Sequence, residues 1–502
     1  MVISVPFYAM QDWIQPEKLQ RNRELNIIDH HAGRNGRTAG KPESISAERR
    51  FMMHWKRSLL CLAAVCCIAF GWFGAARAET LQECHKVQNT AEETRQENGS
   101  RIKKWHVETA LPAVSDEING IADAWAEELG PELEKAQNNG KKNSRLDVEI
   151  RYSRTGLHWM SFMVQARTTY HQQLKAQRFT TRTYHMESGE RVLMTDLFDD
   201  SEETWQMLSD RVRQTLTDYW PEEEPDAEAL DRLCGREQLE QAEFTLHGMS
   251  LVLHYPAELL YPDHHTIMDV TFFYPELHPL MTEEAFTETD NLTYYKTCAL
   301  TFDDGPSQQN TPKVLDSLME TGARATFFVI GNRIKENRYL VQREHDNGHA
   351  VASHNWHHGN ATKSTGAALR AMPAKVNTAM IKSIGIPVRY DRVPGGRYPA
   401  MIKAKVGWPY IQWSLDTYDW RGSSTTEVMR KVRKKLHDGD IILCHDIKDN
   451  APESTRQLIH YLEEQGYMPL TIDELFAKDG VELQPDTVYF RCDQGETSIR
   501  KD

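Results

Sequence analysis

The sequence predicts an α/β protein in which a smaller α+β domain precedes a distorted (β/α) barrel of about seven strands. Two observations support this prediction. From residue 297 to residue 478, short apolar runs alternate with amphipathic helical stretches, which is typical of a parallel sheet that is closed or nearly closed. From residue 79 to residue 285, strand-like runs follow one another between two helical patterns. A chain of 502 residues is long enough for two such domains.

The composition is that of a soluble globular protein, with 40% apolar and 26% charged residues. The formal net charge of −14 argues against a nucleic-acid-binding protein, because such proteins normally present a basic face. An acidic protein also has no obvious electrostatic attraction to an anionic membrane surface. The charge balance therefore disfavours two classes of partner, but it does not identify a substrate.

Residues 52–78 have the form of a secretory signal peptide. Lys56 and Arg57 supply the positive charge at its start. The apolar stretch runs from Ser58 to Gly74, and a small-x-small cleavage site ends at Ala78. We therefore expect an extracytoplasmic protein, whether secreted, periplasmic or cell-wall associated, with no stable membrane span after cleavage. The alternative interpretation is an uncleaved membrane anchor.

Residues 1–51 precede this signal, and they are polar, contain arginine and lack clear periodicity. A signal peptide that begins so far into a chain is unusual. Our hypothesis is that translation starts at Met52 or Met53 and that the preceding residues are a gene-start error or a disordered extension. N-terminal sequencing of the mature protein distinguishes these cases from a mature chain that begins upstream of Met52.

The cysteines are consistent with an oxidising compartment but do not define a disulfide framework. The chain has eight cysteines, and five lie beyond the signal peptide: Cys84, Cys234, Cys298, Cys444 and Cys492. An odd number leaves at least one thiol unpaired or paired between molecules. Cys298 and Cys444 lie in apolar strand-like runs and are expected to be buried. Cys84 with Cys234 is a candidate disulfide that the sequence cannot establish.

In the first domain, residues 79–285, the hydrophobic periodicity predicts α+β structure. The predicted helices cover 113–129 and 202–219, and the predicted strands cover 146–152, 159–170, 179–186, 244–246, 249–255 and 267–273. Asp200 is the candidate N-cap of the second helix, with Glu203 three residues later. The polar segment 286–296 is the predicted linker.

In the second domain, residues 297–478, strands and helices are predicted to alternate. The predicted strands cover 298–302, 325–330, 349–353, 388–393, 410–415, 440–444 and 468–472, and the helices cover 311–320, 339–347, 367–384, 425–436 and 452–465. Residues 479–502 are assigned to a C-terminal tail. In a barrel of this kind, catalytic residues gather at the carboxyl ends of the strands.

Two motifs at predicted strand ends indicate a metal site. Asp303 and Asp304 follow an apolar run directly, so one carboxylate could hold a metal while the other handles a proton. His354 and His358 are four residues apart after another strand and can face the same way. Two imidazoles and the carboxylate of Asp304 would leave coordination positions open for water and substrate. His357 could compete for the metal, although the spacing favours His358.

Three further motifs indicate acid–base chemistry. Arg392 opens a segment that includes Gly395 and Gly396, and an arginine beside a carboxylate keeps it ionised and oriented. The glycines allow close backbone approach, so an N–H group could face a developing oxyanion. A fourth motif runs from Asp416 to Trp420 and a fifth from Leu443 to Asp446. An aspartate hydrogen-bonded to a histidine fixes the histidine's tautomer and raises its pKa, as a general acid requires.

Together these residues resemble the five motifs of the polysaccharide deacetylase family, carbohydrate esterase family 4, over roughly residues 297–478. The resemblance implies that Asp303 is the general base, Arg392 its orienting partner, His445 the general acid and Asp419 the residue that orients His445. It implies metal binding by Asp304, His354 and His358, an oxyanion contact from the Gly395 backbone, and a pocket for the acetyl methyl group lined by Trp420 and Leu443. Asn355 stands where the family usually has serine or threonine. Gly395 stands where the family often has an aromatic residue, and this second departure would open one wall of the substrate groove and bears on the sugar preference.

The first domain carries a second resemblance. Ser188-Gly189-Glu190 leads into Thr195-Asp196-Leu197-Phe198, and this order of elements is similar to an uncharacterised extracytoplasmic domain. That domain is found upstream of some bacterial wall deacetylases and in some membrane-bound anti-sigma factors. The resemblance implies envelope binding or sensing, and it carries no catalytic residue. His264 and His265 are interpreted as loop residues rather than ligands.

The resemblance implies a hydrolase of carbon–nitrogen bonds in linear amides, which removes N-acetyl groups from an envelope amino-sugar polymer, first of all peptidoglycan, and releases acetate. One divalent metal ion is implied; zinc fits two histidines and an aspartate best, and cobalt, nickel, manganese or iron also fit. The alternatives are a chitooligosaccharide deacetylase or an acetyl-xylan esterase of the same family. A non-catalytic wall-binding or sensing protein is the alternative from another class, and the retention of all five motifs argues against it.

Overall fold

The computed structural model describes residues 84–141 and 143–497. The predictions for residues 1–51 and for the signal peptide at 52–78 therefore lie outside the described residues. The described residues belong to one compact unit. Within these ranges, none of the helices is both long enough and apolar enough to cross a membrane.

The described chain begins with a six-stranded sheet and one long helix. The elements are β1 (Val87–Arg95), β2 (Arg101–Thr109), α1 (Pro112–Asn138), β3 (Arg145–Thr155), β4 (Trp159–Tyr170), β5 (Gln173–His185) and β6 (Arg191–Val192). The strands are hydrogen-bonded in sequence order, and only the β2–β3 pair is parallel. The helix buries Ile118 and Ala122 in one cluster with Leu146 and Val148 of the sheet.

Helix α1 confirms the predicted helix and extends it, since buried positions continue as far as Leu133. The sequence does not predict β1 and β2. Most β1 residues are polar and exposed, so this strand lacks the alternation of apolar residues that marks a half-buried strand. Its pairing with β2 is antiparallel and brings Glu92 opposite Lys104. Opposite charges that face each other across an antiparallel pair are stabilising. The sequence alone does not show which residues face each other, because this depends on the register of the two strands.

Short helices and a three-stranded antiparallel sheet follow. The elements are α2 (Met194–Leu197), α3 (Glu202–Asp218), α4 (Ala227–Leu233), α5 (Arg236–Glu240), β7 (Phe244–Leu246), β8 (Ser250–Pro256), β9 (Ile267–Phe273), α6 (Tyr274–Leu277) and α7 (Glu283–Thr289). The predicted helix at 202–219 is confirmed, but Asp200 as its N-cap is wrong. The hydroxyl of Ser201 accepts a hydrogen bond from the Thr204 N–H at 3.1 Å, because Ser201 lies one residue closer to the first turn.

The five described cysteines form no disulfide with one another, so the candidate bond between Cys84 and Cys234 is wrong. The Cys84 thiol donates to the carbonyl oxygen of Leu157 at 3.4 Å. Cys234 lies in a hydrophobic cluster instead. Cys298 and Cys444 are buried, as expected from their apolar surroundings.

The predicted linker at 286–296 is a packed segment. It contains the end of α7 and a 3-10 turn at Asn291–Thr293. The buried carboxylate of Glu288 accepts hydrogen bonds from the backbone N–H groups of Leu157 and His158 at 2.9 and 3.0 Å. The connection is thereby fastened to the turn between β3 and β4.

The remainder of the described chain is built on a parallel sheet. Its elements are β10 (Lys296–Asp303), α8 (Thr311–Thr321), β11 (Thr326–Val329), α9 (Gly331–Ile334), α10 (Arg338–Asp346), β12 (Ala350–Ser353), α11 (Gly366–Arg370), α12 (Met372–Ile384), α13 (Pro399–Ala404), β13 (Tyr410–Ile411), β14 (Leu415–Asp416), α14 (Thr425–Lys435), β15 (Asp440–His445), α15 (Ala451–Glu464), β16 (Tyr467–Leu470), α16 (Ile472–Ala477), β17 (Val488–Tyr489), β18 (Cys492–Asp493) and β19 (Glu496–Thr497). The strand order is β12-β11-β10-β15-β14, with β16 also paired to β10. Within the predicted tail, β17 pairs with β13.

The predicted strand at 388–393 is the main difference from the expected barrel. It is not a regular strand, and prolines flank it at Pro387 and Pro394. Single parallel bridges instead join Asp391 to Ser353 on one side and to Tyr410 on the other. The α/β class is therefore confirmed. The described strands form an open sheet, which the two bridges at Asp391 extend, and not a closed barrel.

A buried network of charges joins the two regions. Glu149 of β3 is fully buried and pairs with Arg167 of β4 and with Arg343 of α10, at 2.8 Å from the Arg343 guanidinium. Arg343 also contacts Asp316 at 2.8 Å, and Asp316 pairs with Lys103 of β2 at 2.6 Å. Members of the network therefore come alternately from the sheet β1–β6 and from helices α8 and α10, which pack on the parallel sheet.

Replacing Glu149 by glutamine is expected to destabilise the protein by about 3 kcal/mol, because it leaves the buried guanidinium of Arg167 without an ion-paired carboxylate and removes one of the two carboxylates that contact Arg343. The free energy of unfolding from chemical denaturation measures the change. Asp231→Asn, which breaks the exposed pair with Arg213, is the control and is expected to cost well under about 1 kcal/mol. Equal losses in the two variants would contradict the importance of the network.

Candidate active site

The predicted motifs meet at the carboxyl ends of the parallel strands. Asp303 is the last residue of β10, His445 is the last residue of β15, and the two are opposite each other in the parallel register. His354 directly follows β12. Parallel strands end at the same edge of a sheet, so residues that are far apart in sequence converge there. Arg392 and Asp419 reach this edge from segments that are not regular strands.

Asp304, His354 and His358 form a three-residue cluster suited to a cation. Their ligand atoms all lie within 4.8 Å of one another. Asp304 Oδ1 is 3.4 Å from His354 Nε2 and 3.3 Å from His358 Nε2, and this buried oxygen has no hydrogen-bond partner among the described residues. Asp304 has a φ of +76°, a conformation that aspartate tolerates better than most residues. One carboxylate oxygen and two imidazole nitrogens are a suitable donor set for zinc and related divalent metals.

The pKa values favour a charged carboxylate in this cluster. Burial alone would raise the pKa of Asp304. The neighbouring imidazole of His354, with smaller contributions from His445 and His358, outweighs burial and lowers this pKa to about 2. The carboxylate is therefore ionised at neutral pH, which is the form that binds a cation.

The backbone selects which histidine nitrogens face the cluster. The Nδ1 atom of His354 is 2.7 Å from the carbonyl oxygen of Arg392, which can only accept a hydrogen bond. Nδ1 therefore carries the proton, and Nε2 directs its lone pair toward Asp304. His357 does not join the cluster; its Nδ1 atom is 3.1 Å from the Asn332 amide nitrogen. The structure thus groups His358, and not His357, with the other two residues.

Asp303 is held by a fully buried arginine. Arg392 Nη1 donates to Asp303 Oδ1 at 2.8 Å and to the Thr301 hydroxyl at 2.7 Å. The guanidinium also donates to the carbonyl oxygens of Ile411 and Gln412 at 3.0 and 3.1 Å. The other oxygen of Asp303, Oδ2, lies 3.8 Å from His354 Nε2 and so faces the cation cluster. It is placed to accept a proton from a molecule bound there.

Asp419 binds His445 through both of its oxygens. Oδ1 is 2.8 Å from the ring Nδ1, and Oδ2 accepts the His445 backbone N–H at 2.8 Å. Burial would lower the pKa of His445, but the hydrogen bond and negative charge of Asp419 outweigh it and raise this pKa above its usual range. The Nε2 atom of a histidine held through Nδ1 remains available to donate a proton.

The predicted pocket residues differ in exposure. Leu443 is buried beside Thr301 in the parallel register, whereas the Trp420 side chain is 44% exposed. Arg421 stacks on the Trp420 ring, with its guanidinium carbon 4.5 Å from the ring centre. Gly395 has a φ of +63°, which a larger residue would adopt only with strain. The roles assigned to these residues stay predictions.

Asp391 is a part of the site that the sequence reasoning missed. It is fully buried, and its Oδ1 accepts hydrogen bonds from the Asn355 N–H at 2.9 Å and from the Ser353 hydroxyl. Asn355 has a φ of +65°, so the backbone turns sharply immediately after His354. Asp391 therefore stabilises the turn that lies between His354 and His358. In the sequence, an aspartate directly before Arg392 does not predict this contact, because the contact joins two distant segments.

Replacing Asp391 by alanine is expected to weaken zinc binding by about tenfold to a hundredfold, because partners that orient metal ligands have effects of this size. Calorimetric titration of the metal-free protein with zinc measures the affinity. The control is Asp440→Ala, since Asp440 also is buried and accepts hydrogen bonds from a serine hydroxyl and a backbone N–H, but at the other end of β15. The control should lose stability and keep its zinc affinity. Equal affinities in both variants would reduce Asp391 to a purely structural residue.

Comparison with known proteins gives one family. A family model described as polysaccharide deacetylase matches residues 291–407. A peptidoglycan-N-acetylglucosamine deacetylase of Bacillus cereus is 34% identical over 188 residues, which cover 36% of this chain and 88% of the relative. The peptidoglycan-N-acetylmuramic acid deacetylase PdaA of Bacillus subtilis is 30% identical over 198 residues, which cover 38% of this chain and 75% of the relative.

A longer relative shares a smaller part of its length. The peptidoglycan-N-acetylglucosamine deacetylase PgdA of Listeria monocytogenes is 40% identical over 195 residues, which cover 39% of this chain and 41% of the relative. The chain thus matches about two-fifths of that protein's length.

Proposed function

We propose that this chain, which belongs to the polysaccharide deacetylase family, hydrolyses the N-acetyl groups of peptidoglycan amino sugars and releases acetate. The observation that carries the proposal is the cluster of Asp304, His354 and His358 beside a carboxylate held by Arg392. The relatives named above act on peptidoglycan according to their names, and they include both glucosamine and muramic acid deacetylases. The proposal therefore names the polymer and leaves the choice between its two sugars to experiment.

One divalent metal ion is proposed to be held by Asp304, His354 and His358. Two imidazoles and a carboxylate suit zinc best, and cobalt, nickel, manganese or iron accept the same donors. When bound, such an ion supplies polarisation of the acetyl carbonyl and a lower pKa for water at the site. The orphaned Asp304 Oδ1 and the fixed tautomer of His354 support this assignment.

The base and the acid are proposed to be Asp303 and His445. Asp303 Oδ2 takes a proton from the attacking water, whose oxygen forms a bond to the acetyl carbon. Arg392 holds this carboxylate and fixes its orientation through Oδ1. The bond between the carbonyl carbon and the nitrogen then breaks, and His445 Nε2 gives its proton to the departing amine. The Gly395 N–H is proposed to donate to the developing oxyanion.

Location and architecture complete the proposal. We place the mature protein outside the cytoplasm, with residues 79–285 as an envelope-associated domain and residues 297–478 as the deacetylase domain. The parallel sheet is proposed to be a distorted barrel, and the bridges from Asp391 to Ser353 and Tyr410 support this because they continue the sheet beyond β12. Trp420 and Leu443 are proposed to contact the substrate beside the acetyl group.

Replacing Asp303 by asparagine is expected to lower the rate of acetate release from peptidoglycan by about a hundredfold to ten-thousandfold, as for the loss of a general base. Acetate is measured with the zinc-loaded protein, using peptidoglycan, N-acetylglucosamine oligomers and acetylated xylan. Zinc titration of the variant is the control, because Asp303 is not one of the proposed ligands. Release from the oligomers or xylan only would move the substrate to those polymers, and no release from any of them would contradict the proposed activity.

Replacing Asp419 by asparagine is expected to move the alkaline limit of activity to lower pH. The negative charge of Asp419 stabilises protonated His445 and raises its pKa, and a general acid works only below its pKa. Without that charge, His445 loses its proton at lower pH and the alkaline limb of the kcat/KM profile shifts downward. Asp449→Asn is the control, because it removes an exposed carboxylate that lies shortly after His445, the last residue of β15. An unchanged alkaline limb in the Asp419 variant would show that His445 is not the acid.

A further inference from the structure

A small cavity with both apolar and polar lining residues lies between the two regions of the described chain. Its volume is about 30 Å³, which is enough for one or two water molecules or a small ion. The first region contributes Arg151 and His247 to its wall, and the second contributes Arg324, Asn347 and His349. None of these residues belongs to the candidate active site.

Several buried polar groups around this cavity have no hydrogen-bond partner among the described residues. They are the Nε atom of Arg151, the Nδ1 atoms of His247 and His349, and both polar atoms of the Asn347 amide. The three side chains of His247, Asn347 and His349 are each at least nine-tenths buried. Buried polar groups in native proteins are almost always paired, so unpaired groups around one cavity indicate that the cavity holds a bound species.

The charge around the cavity is positive. The guanidinium groups of Arg151 and Arg324 both lie close to Gly348. A Cβ atom added to this glycine would be 3.2 Å from Arg151 Nη1 and 3.7 Å from Arg324 Nε. Arg324 has Glu474 as its partner at 3.0 Å. By contrast, the Arg151 guanidinium donates a hydrogen bond to the Met163 sulfur. No carboxylate in the described ranges forms an ion pair with Arg151.

Two aspartates whose charges act on Arg151 each contact another group through one oxygen, and Asp346 Oδ2 has no hydrogen-bond partner among the described residues. Asp269 Oδ1 lies 2.7 Å from His254 Nδ1, and Asp346 Oδ1 accepts the Thr266 hydroxyl at 2.6 Å. Burial lowers the pKa of Arg151 to about 10, against the weaker opposing effects of these two aspartates. A buried guanidinium that forms no ion pair would be stabilised by a further negative charge beside it.

The two histidines can accommodate an anion. Burial and the neighbouring positive charges lower the pKa values of His247 and His349 well below the usual range, so both rings are neutral. A neutral imidazole carries one N–H group, and either nitrogen can hold it. The cavity wall can therefore present donors from Arg151, Asn347 and the histidines at once.

We propose that this cavity binds a small inorganic anion of the size of chloride, which links the first region to the second. Its direct partners are Arg151 and His247 on one side and Asn347 and His349 on the other. The small volume excludes phosphate-sized and sugar-sized ligands. A ligand that binds only the folded state stabilises it by an amount that grows with the logarithm of the free ligand concentration above its Kd, so chloride raises the thermal stability of the protein.

The test uses the purified full chain in crystals grown with sodium bromide and in thermal unfolding experiments. We expect one anomalous bromide peak in the cavity. We also expect an unfolding midpoint that rises with the logarithm of the sodium chloride concentration, relative to sodium gluconate at the same ionic strength. Absence of the peak together with equal midpoints in the two salts would overturn the proposal, because the cavity would then hold water.

Arg151→Met removes the charge while keeping a long side chain, and it is expected to abolish the difference between chloride and gluconate. Arg145→Met on the same strand is the matched control, since Arg145 is paired with Asp147 and lies outside the cavity. This control should keep the chloride effect even if its midpoint is lower. If the Arg151 variant does not fold, the bromide map of the unchanged protein decides the question alone. A chloride effect that persists in a folded Arg151 variant would place the anion elsewhere.

Discussion

The candidate active site depends on one buried guanidinium. Arg392 holds the Asp303 carboxylate through Nη1, and its own carbonyl oxygen fixes the ring of His354. A single residue therefore orients the proposed base and one proposed metal ligand relative to each other. It is itself held by the carbonyl oxygens of Ile411 and Gln412 and by packing against the Phe328 ring, 3.9 Å from the guanidinium carbon. Because so many contacts fix this side chain, a lysine could not replace it.

The parallel register supplies the second constraint. Thr301 and Asp303 are two residues apart on β10 and point to the same face, which is why Arg392 can contact both. Asp303 also lies opposite His445 on β15, so the proposed base and acid are one strand spacing apart. A shift of one residue in this register would turn one of the two side chains to the opposite face. The backbone hydrogen bonds of β10 and β15 thus set the separation of the two groups.

The sequence predicted those parts of the structure whose signal is local. The strand before Asp303, the turn residues after it and the spacing of His354 and His358 are all visible in short windows, and the structure brings these residues together. Strands β1 and β2 lack such a signal because their polar residues are stabilised by pairing across the sheet. Asp391 and the pairing of Glu149 with Arg343 depend on contacts between distant segments. No periodicity or spacing within one segment could indicate them.

The first region supports the strands that carry the site. Along β10, Cys298, Leu300 and Phe302 pack with the covering helices, whereas Ala299 on the other face belongs to a cluster that also contains Leu251 of β8. The buried carboxylate of Glu474 extends this contact, because it accepts hydrogen bonds from the Met249 N–H at 3.3 Å and from the Ser250 hydroxyl at 2.9 Å. Removing the first region would therefore take Leu251 out of the cluster that contains Ala299 and leave Glu474 without these two partners. The first region therefore shares a hydrophobic core with the strand that ends at Asp303.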